Sequence, residues 1–352
     1  TITAKDKVCL NEEVKCNPDD CVYAKDFYTK IDNVIKEMLK NEKVFFRDTI
    51  EEYGKIYKVC PFELSLELTN WSDGIICDYN YAFDPRVRLK RIFEEQGKIN
   101  ILLIDEAHNL VDRARKMYSG EVSKSKVMFV NKVLKGIAPN LYRYSNLINK
   151  EMIKIRRELE ELNTNKLHHN YKYKDLINFL RAFISEADTY LIKSKGTGGY
   201  EEVLEFYFEA RSFVAVSELY SEQYTTIIKR EKSELIIKIF CIDPSKNIKY
   251  ILNKSYANII FSATLLPMKY YIDLLGGDEN SYRMRIDSPF NKENLMIYVS
   301  DLDMRYNSRE KNIEKLCKII NKFVNEVKGN YMIFFPSFEY SKNVYKQYIL
   351  KY

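Results

Sequence analysis

Four cysteines near the N-terminus have types and spacing that suggest metal chemistry. Cys9, Cys16 and Cys21 form a C-x6-C-x4-C run, and Cys60 follows after 38 intervening residues as a Cys-Pro pair. Four thiolates can enclose a [4Fe-4S] cluster or a tetrahedral zinc ion. The spacing is wider than the short knuckle of most zinc sites and favours the cluster, with unliganded buried thiols as the alternative. An odd total of seven cysteines argues against a complete disulfide framework. Cys77, Cys241 and Cys317 lie in apolar patterns and are expected to be packed core thiols.

A second group is Asp105-Glu106-Ala107-His108, directly after the run Ile99-Asn100-Ile101-Leu102-Leu103-Ile104. The carboxyl end of a buried parallel strand is where such sheets place ligands. There Asp105 could hold Mg2+ against a nucleotide's phosphates, Glu106 could polarise an attacking water, and His108 could relay the nucleotide state. The same residues would also serve as ordinary polar residues ending a strand. Phe261-Ser262-Ala263-Thr264-Leu265 ends another apolar run, and Ser262 and Thr264 taken alone would be helix caps.

Four short apolar runs must position these groups: Gly74 to Cys77, Ile99 to Ile104, Ala257 to Phe261 and Tyr331 to Phe335. They predict strands of a parallel sheet buried on both faces and wound with helices, an α/β fold. Some 150 residues separate the second run from the third, too many for a loop, so a domain is inserted there. Leu141 to Leu162, Tyr171 to Ile192 and Glu201 to Tyr220 show helical spacing, and the insertion is expected to be mostly helical. Tyr224 to Lys229 and Glu234 to Ile242 predict a hairpin that returns the chain to the sheet. Lys195-Gly196-Thr197-Gly198-Gly199 is expected to be a flexible connector, having neither the spacing nor the lysine of a phosphate loop. Ser337 to Leu350 predicts a helix within a strand-helix-strand-helix set starting near Asn294.

The length of 352 residues and 46% hydrophobic content predict two or three domains. No apolar run approaches the roughly 20 residues of a membrane span, and the N-terminus does not read as a signal peptide, so a cytoplasmic protein without membrane contact is expected. The net charge is +6, yet residues 113–160 hold 12 Lys or Arg against 4 Asp or Glu, a local +8, so the remainder sums to about −2. Such a stripe can neutralise phosphates and make nucleic-acid binding salt-dependent, or it can be a solvated helix face.

The order of these features resembles the XPD/DinG family of superfamily 2 helicases over nearly the whole chain. The elements are the four-cysteine set, Tyr79-Asn80-Tyr81-x-x-Asp84-Pro85, Leu103-Ile104-Asp105-Glu106-Ala107-His108-Asn109-Leu110, a helical insertion, and Phe261-Ser262-Ala263-Thr264-Leu265. The resemblance implies a RecA-like motor domain split by a small iron-sulfur domain and a helical arch, followed by the start of a second RecA-like domain. The implied boundaries are an iron-sulfur domain over residues 1–70, first motor domain over 71–112 and 251–287, arch over 113–250, and second motor domain over 288–352. Phe334-Phe335-Pro336-Ser337 looks like that last domain's opening motif.

It further implies Cys9, Cys16, Cys21 and Cys60 as ligands of a [4Fe-4S] cluster. Asp105, Glu106 and His108 would be catalytic, Ser262 and Thr264 would couple the motor, and Tyr79, Asn80 and Tyr81 would bind DNA. The implied activity is ATP- and Mg2+-dependent 5′ to 3′ translocation on single-stranded or forked DNA by a monomer. Two departures qualify it: the sequence contains neither G-x-x-x-x-G-K-[ST] nor Gln-x-x-Gly-Arg-x-x-Arg. An internal piece of such a helicase, unable to hydrolyse ATP alone, is therefore expected. The alternatives are a non-motor, metal-containing nucleic-acid-binding module and a zinc protein with a helical interaction domain.

Overall fold

A computed structural model describes all residues except 15, 96–98, 195–197 and 327. Lys195-Gly196-Thr197 of the expected connector thus lies outside the described residues. The chain divides into two compact units, Thr1–Tyr282 and Arg283–Tyr352. Among the described residues no helix is long and apolar enough to cross a membrane.

The first unit opens with the single turn α1 (Lys5–Val8), then α2 (Phe27–Asn41), α3 (Arg47–Tyr57) and α4 (Pro61–Glu67). In α2 the residues Phe27, Ile31, Val34, Ile35 and Met38 recur at three- and four-residue spacing, so they share one face. That face buries against Ile50, Val59, Leu64 and Leu68 as a separate small core. Lys58 in the left-handed region ends α3, and the chain then enters α4 with Pro61 in its first turn. Gly54 allows the close approach: a Cβ there would lie 2.7 Å from the Pro61 ring. The N-terminus is tied back by Ile2 N donating to Ile76 O at 2.9 Å.

After α5 (Asn80–Phe83) the chain forms β1 (Ile101–Ile104), which pairs in parallel with β6 (Ala257–Ile260), Ile101 facing Ala257 and Ile104 facing Ile260. The sheet is α/β in character, but its burial departs from expectation. Ile101, Leu103 and Ile259 are exposed, and only Ile104 of β1 is buried. Among the described residues the pair has no further strand beside it. An apolar run expected to be covered on both faces is therefore covered on one. Gly74 to Cys77 forms no strand, and Cys77 is exposed rather than packed in a core.

Residues 105–256 leave and return between these neighbouring strands. They contribute α6 (Leu110–Met117), β2 (Gly120–Ser123), α7 (Lys124–Leu134), α8 (Pro139–Glu161), β3 (Lys166–His169), α9 (Lys174–Lys193), α10 (Tyr200–Glu218), β4 (Tyr224–Glu231), β5 (Glu234–Cys241) and α11 (Ser245–Leu252). The three long helices fall where the spacing predicts them. The hairpin also forms, but instead of rejoining the parallel pair it is the centre of an antiparallel sheet ordered β2-β5-β4-β3. The edge strands β2 and β3 have four residues each, too few for a period-two pattern to stand out beside long helices. Leu235, Ile237, Ile239 and Cys241 alternate inward along β5 and join α7 to α10 in one large core. That core extends to Ile104, Leu110, Val111 and Ile251, so the insertion and the parallel pair are packed together. After β6 comes α12 (Met268–Leu274).

The second unit contains α13 (Tyr306–Arg309), α14 (Ile313–Glu326) and α15 (Phe338–Lys351). Ser337 caps α15, its side chain accepting from Tyr340 N, and Cys317, Tyr340 and Val344 are buried between α14 and α15. The expected strands near Asn294 and at Tyr331 to Phe335 are not formed among the described residues. Met332 and Phe334 are exposed there, because among the described residues of this unit no neighbouring strand supplies backbone partners.

Candidate functional site

Two segments meet where β1 and β6 end. Phe261 N donates to Ile104 O at 3.0 Å and Ala107 N donates to Phe261 O at 3.1 Å, continuing the main-chain ladder past both strands. Glu106 sits in the left-handed region, φ 48°, an unusual backbone state for a residue with a Cβ. His108 Nδ1 lies 2.8 Å from Ser262 Oγ and 3.2 Å from Glu106 Oε2. Ser262 Oγ donates to the same Glu106 oxygen at 3.4 Å. A carboxylate, an imidazole and a hydroxyl from two strand ends thus form one polar triangle, with Asp105 and Glu106 open to solvent. Asp105 Oδ1 accepts from Glu106 N at 2.7 Å, while Thr264 is exposed and stands outside the triangle.

Tyr79 is held to this loop, its hydroxyl donating to Asp105 O. The Arg113 guanidinium lies 5.5 Å from the centre of the Tyr79 ring and forks onto Asp78 at 2.7 and 3.0 Å. Burial, and then the nearby Asp105 carboxylate, push the Tyr79 hydroxyl above its usual range. Asn80 begins α5, its N–H donating to Asp78 Oδ1 at 3.0 Å, and Tyr81 is half-buried with its carbonyl accepting from Leu89 N. Arg113 and Asp78 are the pair that sequence reasoning missed. Arg113 looked like one of many stripe cations, and nothing local announces a partner 35 residues upstream.

The four cysteines also come together. Cys9, Cys16, Cys21 and Cys60 line a single cavity of about 210 Å³ with Lys5, Asn11 and Phe62. Asn11 Nδ2 donates to Cys21 Sγ at 3.1 Å, and the main-chain N–H groups of Phe62 and Glu63 at the start of α4 point to the Cys60 sulfur. Burial outweighs those contacts and pushes the Cys60 thiol up. Among the described residues no group of three or more His, Cys, Asp or Glu is arranged to hold a metal ion. An all-thiol donor set lining one cavity, with Asn11 Nδ2 donating to one of its sulfurs, has the chemistry to hold an iron-sulfur group or a zinc ion.

The DEAD_2 family model matches residues 1–127, which contain both the cysteine set and the Asp105–His108 loop. The ATP-dependent DNA helicase CHL1 of Candida albicans is 22% identical over 97% of this chain and 49% of its own length. The Fanconi anemia group J protein homolog of Gallus gallus is 38% identical over 21% of this chain and 6% of its own. The general transcription and DNA repair factor IIH helicase subunit XPD of Dictyostelium discoideum is 31% identical over 24% of this chain and 11% of its own. The chain is similar to XPD-type helicases, through the DEAD_2 match of its residues 1–127 and through the CHL1 relatives along most of its length. It spans about half the length of the CHL1 relatives that it matches along most of its own length.

In this chain the basic stripe is partly neutralised. Arg113 pairs with Asp78, Arg115 with Asp112 and the Ile242 carbonyl, Lys126 with Glu205 and Glu209, and Arg156 with Glu160. Lys116, Lys132, Lys135, Arg143, Lys150 and Arg157 are exposed or partly exposed and spread over α6, the end of α7 and α8. Formal charge along the sequence therefore overstates the cation surplus that a ligand would meet.

Proposed function

We propose that the chain is the internal region of an ATP-dependent DNA helicase that moves 5′ to 3′ on single-stranded or forked DNA as a monomer. The observation that carries this reading is the Glu106–His108–Ser262 triangle, which joins the two loops at the ends of adjacent parallel strands. In the proposed mechanism Asp105 would hold a Mg2+ ion, which when bound would neutralise nucleotide phosphates, and Glu106 orients the attacking water. His108 and Ser262 respond to the charge at Glu106, and Thr264 acts further along the same segment. Movement at Glu106 thus reaches the segment after β6. Tyr79, through Asp105 O, links the DNA-contacting stretch Tyr79–Tyr81 to the same loop.

Residues 1–70 would form an iron-sulfur domain, 113–250 the arch, 71–112 and 251–287 the first motor domain, and 288–352 the start of the second. Cys9, Cys16, Cys21 and Cys60 would hold a [4Fe-4S] cluster, which when bound supplies cross-links that a small core lacks. The cavity that all four line supports this assignment. With no G-x-x-x-x-G-K-[ST] loop to cradle phosphates, these 352 residues alone should not turn over ATP.

Two measurements test the proposal. Anaerobically purified chain should contain iron and acid-labile sulfide in equal amounts, lost in Cys60→Ser; stoichiometric zinc instead would sink the cluster assignment. In the whole protein, Glu106→Gln should bind ATP yet hydrolyse it at least about 100-fold more slowly, since a positioned base contributes roughly 10²–10⁴. Hydrolysis by that variant at the wild-type rate would refute the role given to Glu106, and unwinding only of 3′-tailed duplexes would refute the 5′ to 3′ direction.

A further inference from the structure

The loop that carries three of the four cavity-lining thiols is fastened across its own base. Asn11, two residues after Cys9, reaches ten residues forward, and its Nδ2 donates to Cys21 Sγ at 3.1 Å. Both residues line the cysteine cavity. The main chain fixes the acceptor: Cys21 N donates to Asn17 O at 2.8 Å, and Cys21 O accepts from Ala24 N and Lys25 N, each at 3.1 Å. Cys21 is buried, whereas Cys16, between the two fastened positions, is exposed. The amide therefore meets a sulfur that is already held in place, and the stretch bearing Cys16 is closed at both ends.

The strength of such a bond depends on the charge of the sulfur. A thiol is a weak acceptor, so an amide gains little by donating to it. A thiolate accepts a charge-assisted bond, roughly twice as strong as a neutral one. Asn11 thus stabilises Cys21 most when its sulfur is ionised, as a metal ligand must be. The surrounding sequence works against that state. Glu12, Glu13, Asp19 and Asp20 lie between Cys9 and Cys21, with Lys15 as the single cation in that stretch. Asn11 brings a donor to the sulfur without adding another negative charge.

We propose that Asn11 is a positioning residue for the metal group: its amide holds Cys21 ready as a ligand and draws charge from that sulfur once the group is bound. That role rests on the iron-sulfur reading given above and adds to it a residue that is not a ligand. Hydrogen bonds to sulfur are among the levers that set the reduction potential of such groups, and outer partners of ligands contribute about 10- to 100-fold to metal affinity. An N–H that draws electron density from sulfur favours the reduced state, which carries one more negative charge. Removing the amide should therefore weaken the hold on iron and lower the potential together. A residue that merely closed the loop would change the first alone.

The test uses the 352-residue chain, purified anaerobically, beside Asn11→Leu, which keeps the bulk and loses the donor, and Asn11→Asp, which turns the donor into a charge. Asn11→Leu should release iron to a ferrous chelator about 10-fold or more faster than wild type. In a dye-mediated redox titration its reduction equilibrium should shift about tenfold toward the oxidised state, which is about 59 mV for one electron. Asn11→Asp should move further in the same direction. Wild-type release and potential in both variants overturn the role of Asn11 and leave the cluster reading standing, as does faster release at an unchanged potential. Should Asn11→Leu be purified without iron, Asn11→Gln decides: iron retained with the amide restored supports the role, and loss from both overturns it. Zinc, or no metal, in the wild-type chain overturns the cluster reading and this role together.

Discussion

Tyr79, Arg113 and Asp78 show how a few side chains can tie distant loops together. The Tyr79 hydroxyl bonds to the Asp105 carbonyl, and Arg113 holds both the ring and Asp78. Because the ion pair is close to half exposed on both sides, its loss should change stability by less than about 1 kcal/mol. Arg113→Ala is therefore expected to melt close to wild type while loosening the Asp105 loop. Hydrogen exchange at residues 105–108 would detect the loosening, and unchanged exchange would refute the tie. Cys241 gives a pH prediction. Burial holds its thiol at about 11 against an ordinary value of 9.0. Above pH 9 the unfolded chain gives up that proton while the folded chain keeps it, so stability falls as pH rises from about 9 to 11. The loss should reach at most roughly 3 kcal/mol, two pKa units at 1.36 kcal/mol each. Urea midpoints at pH 9 and 11 should separate more in wild type than in Cys241→Ala; equal separations would show that the thiol does not ionise differentially.

The antiparallel sheet of the insertion depends on one close approach between elements. A Cβ at Gly120 in β2 would lie 2.9 Å from Phe213 Cα and 3.2 Å from Ser212 O, both main-chain atoms of α10. Neither can rotate away, so Gly120→Ala must push strand and helix apart. The expected loss is about 1–3 kcal/mol, typical of overpacking in a filled core. A denaturation midpoint like that of wild type would mean that β2 and α10 have room that the contact distances deny. The β1–β6 pair shows the reverse situation. Its apolar residues Ile101, Leu103 and Ile259 are exposed, although their pattern is that of a strand buried on both faces.

Across the first unit, two cores divide the work. Phe27 to Leu68 form a small one beneath the cysteine cavity, while a large one runs from Phe83 through the insertion to Leu275. A small core gains more from metal-ligand bonds than a large one does. Removing the proposed cluster, by chelation or through Cys60→Ser, should therefore raise hydrogen exchange across residues 1–70 and leave residues 139–241 protected. Uniform loss of protection would show instead that the two cores unfold as one.

Much of the site was legible in sequence because its signals are local. The Cys9–Cys21 run, an Asp-Glu pair after an apolar run and Ser262 after another are each readable within about a dozen residues, Cys60 lies 38 intervening residues further on, and helical periodicity located α8, α9 and α10. Which thiols share a cavity, that His108 reaches Ser262 across 154 positions, and that Arg113 is committed to Asp78 were decided only by the fold. The expected strands at Gly74 to Cys77 and Tyr331 to Phe335 did not form, and β2 and β3 formed without announcing themselves, for one physical reason. A helix satisfies its backbone hydrogen bonds within itself, so its pattern is written in consecutive residues, whereas a strand exists only where another strand lies beside it.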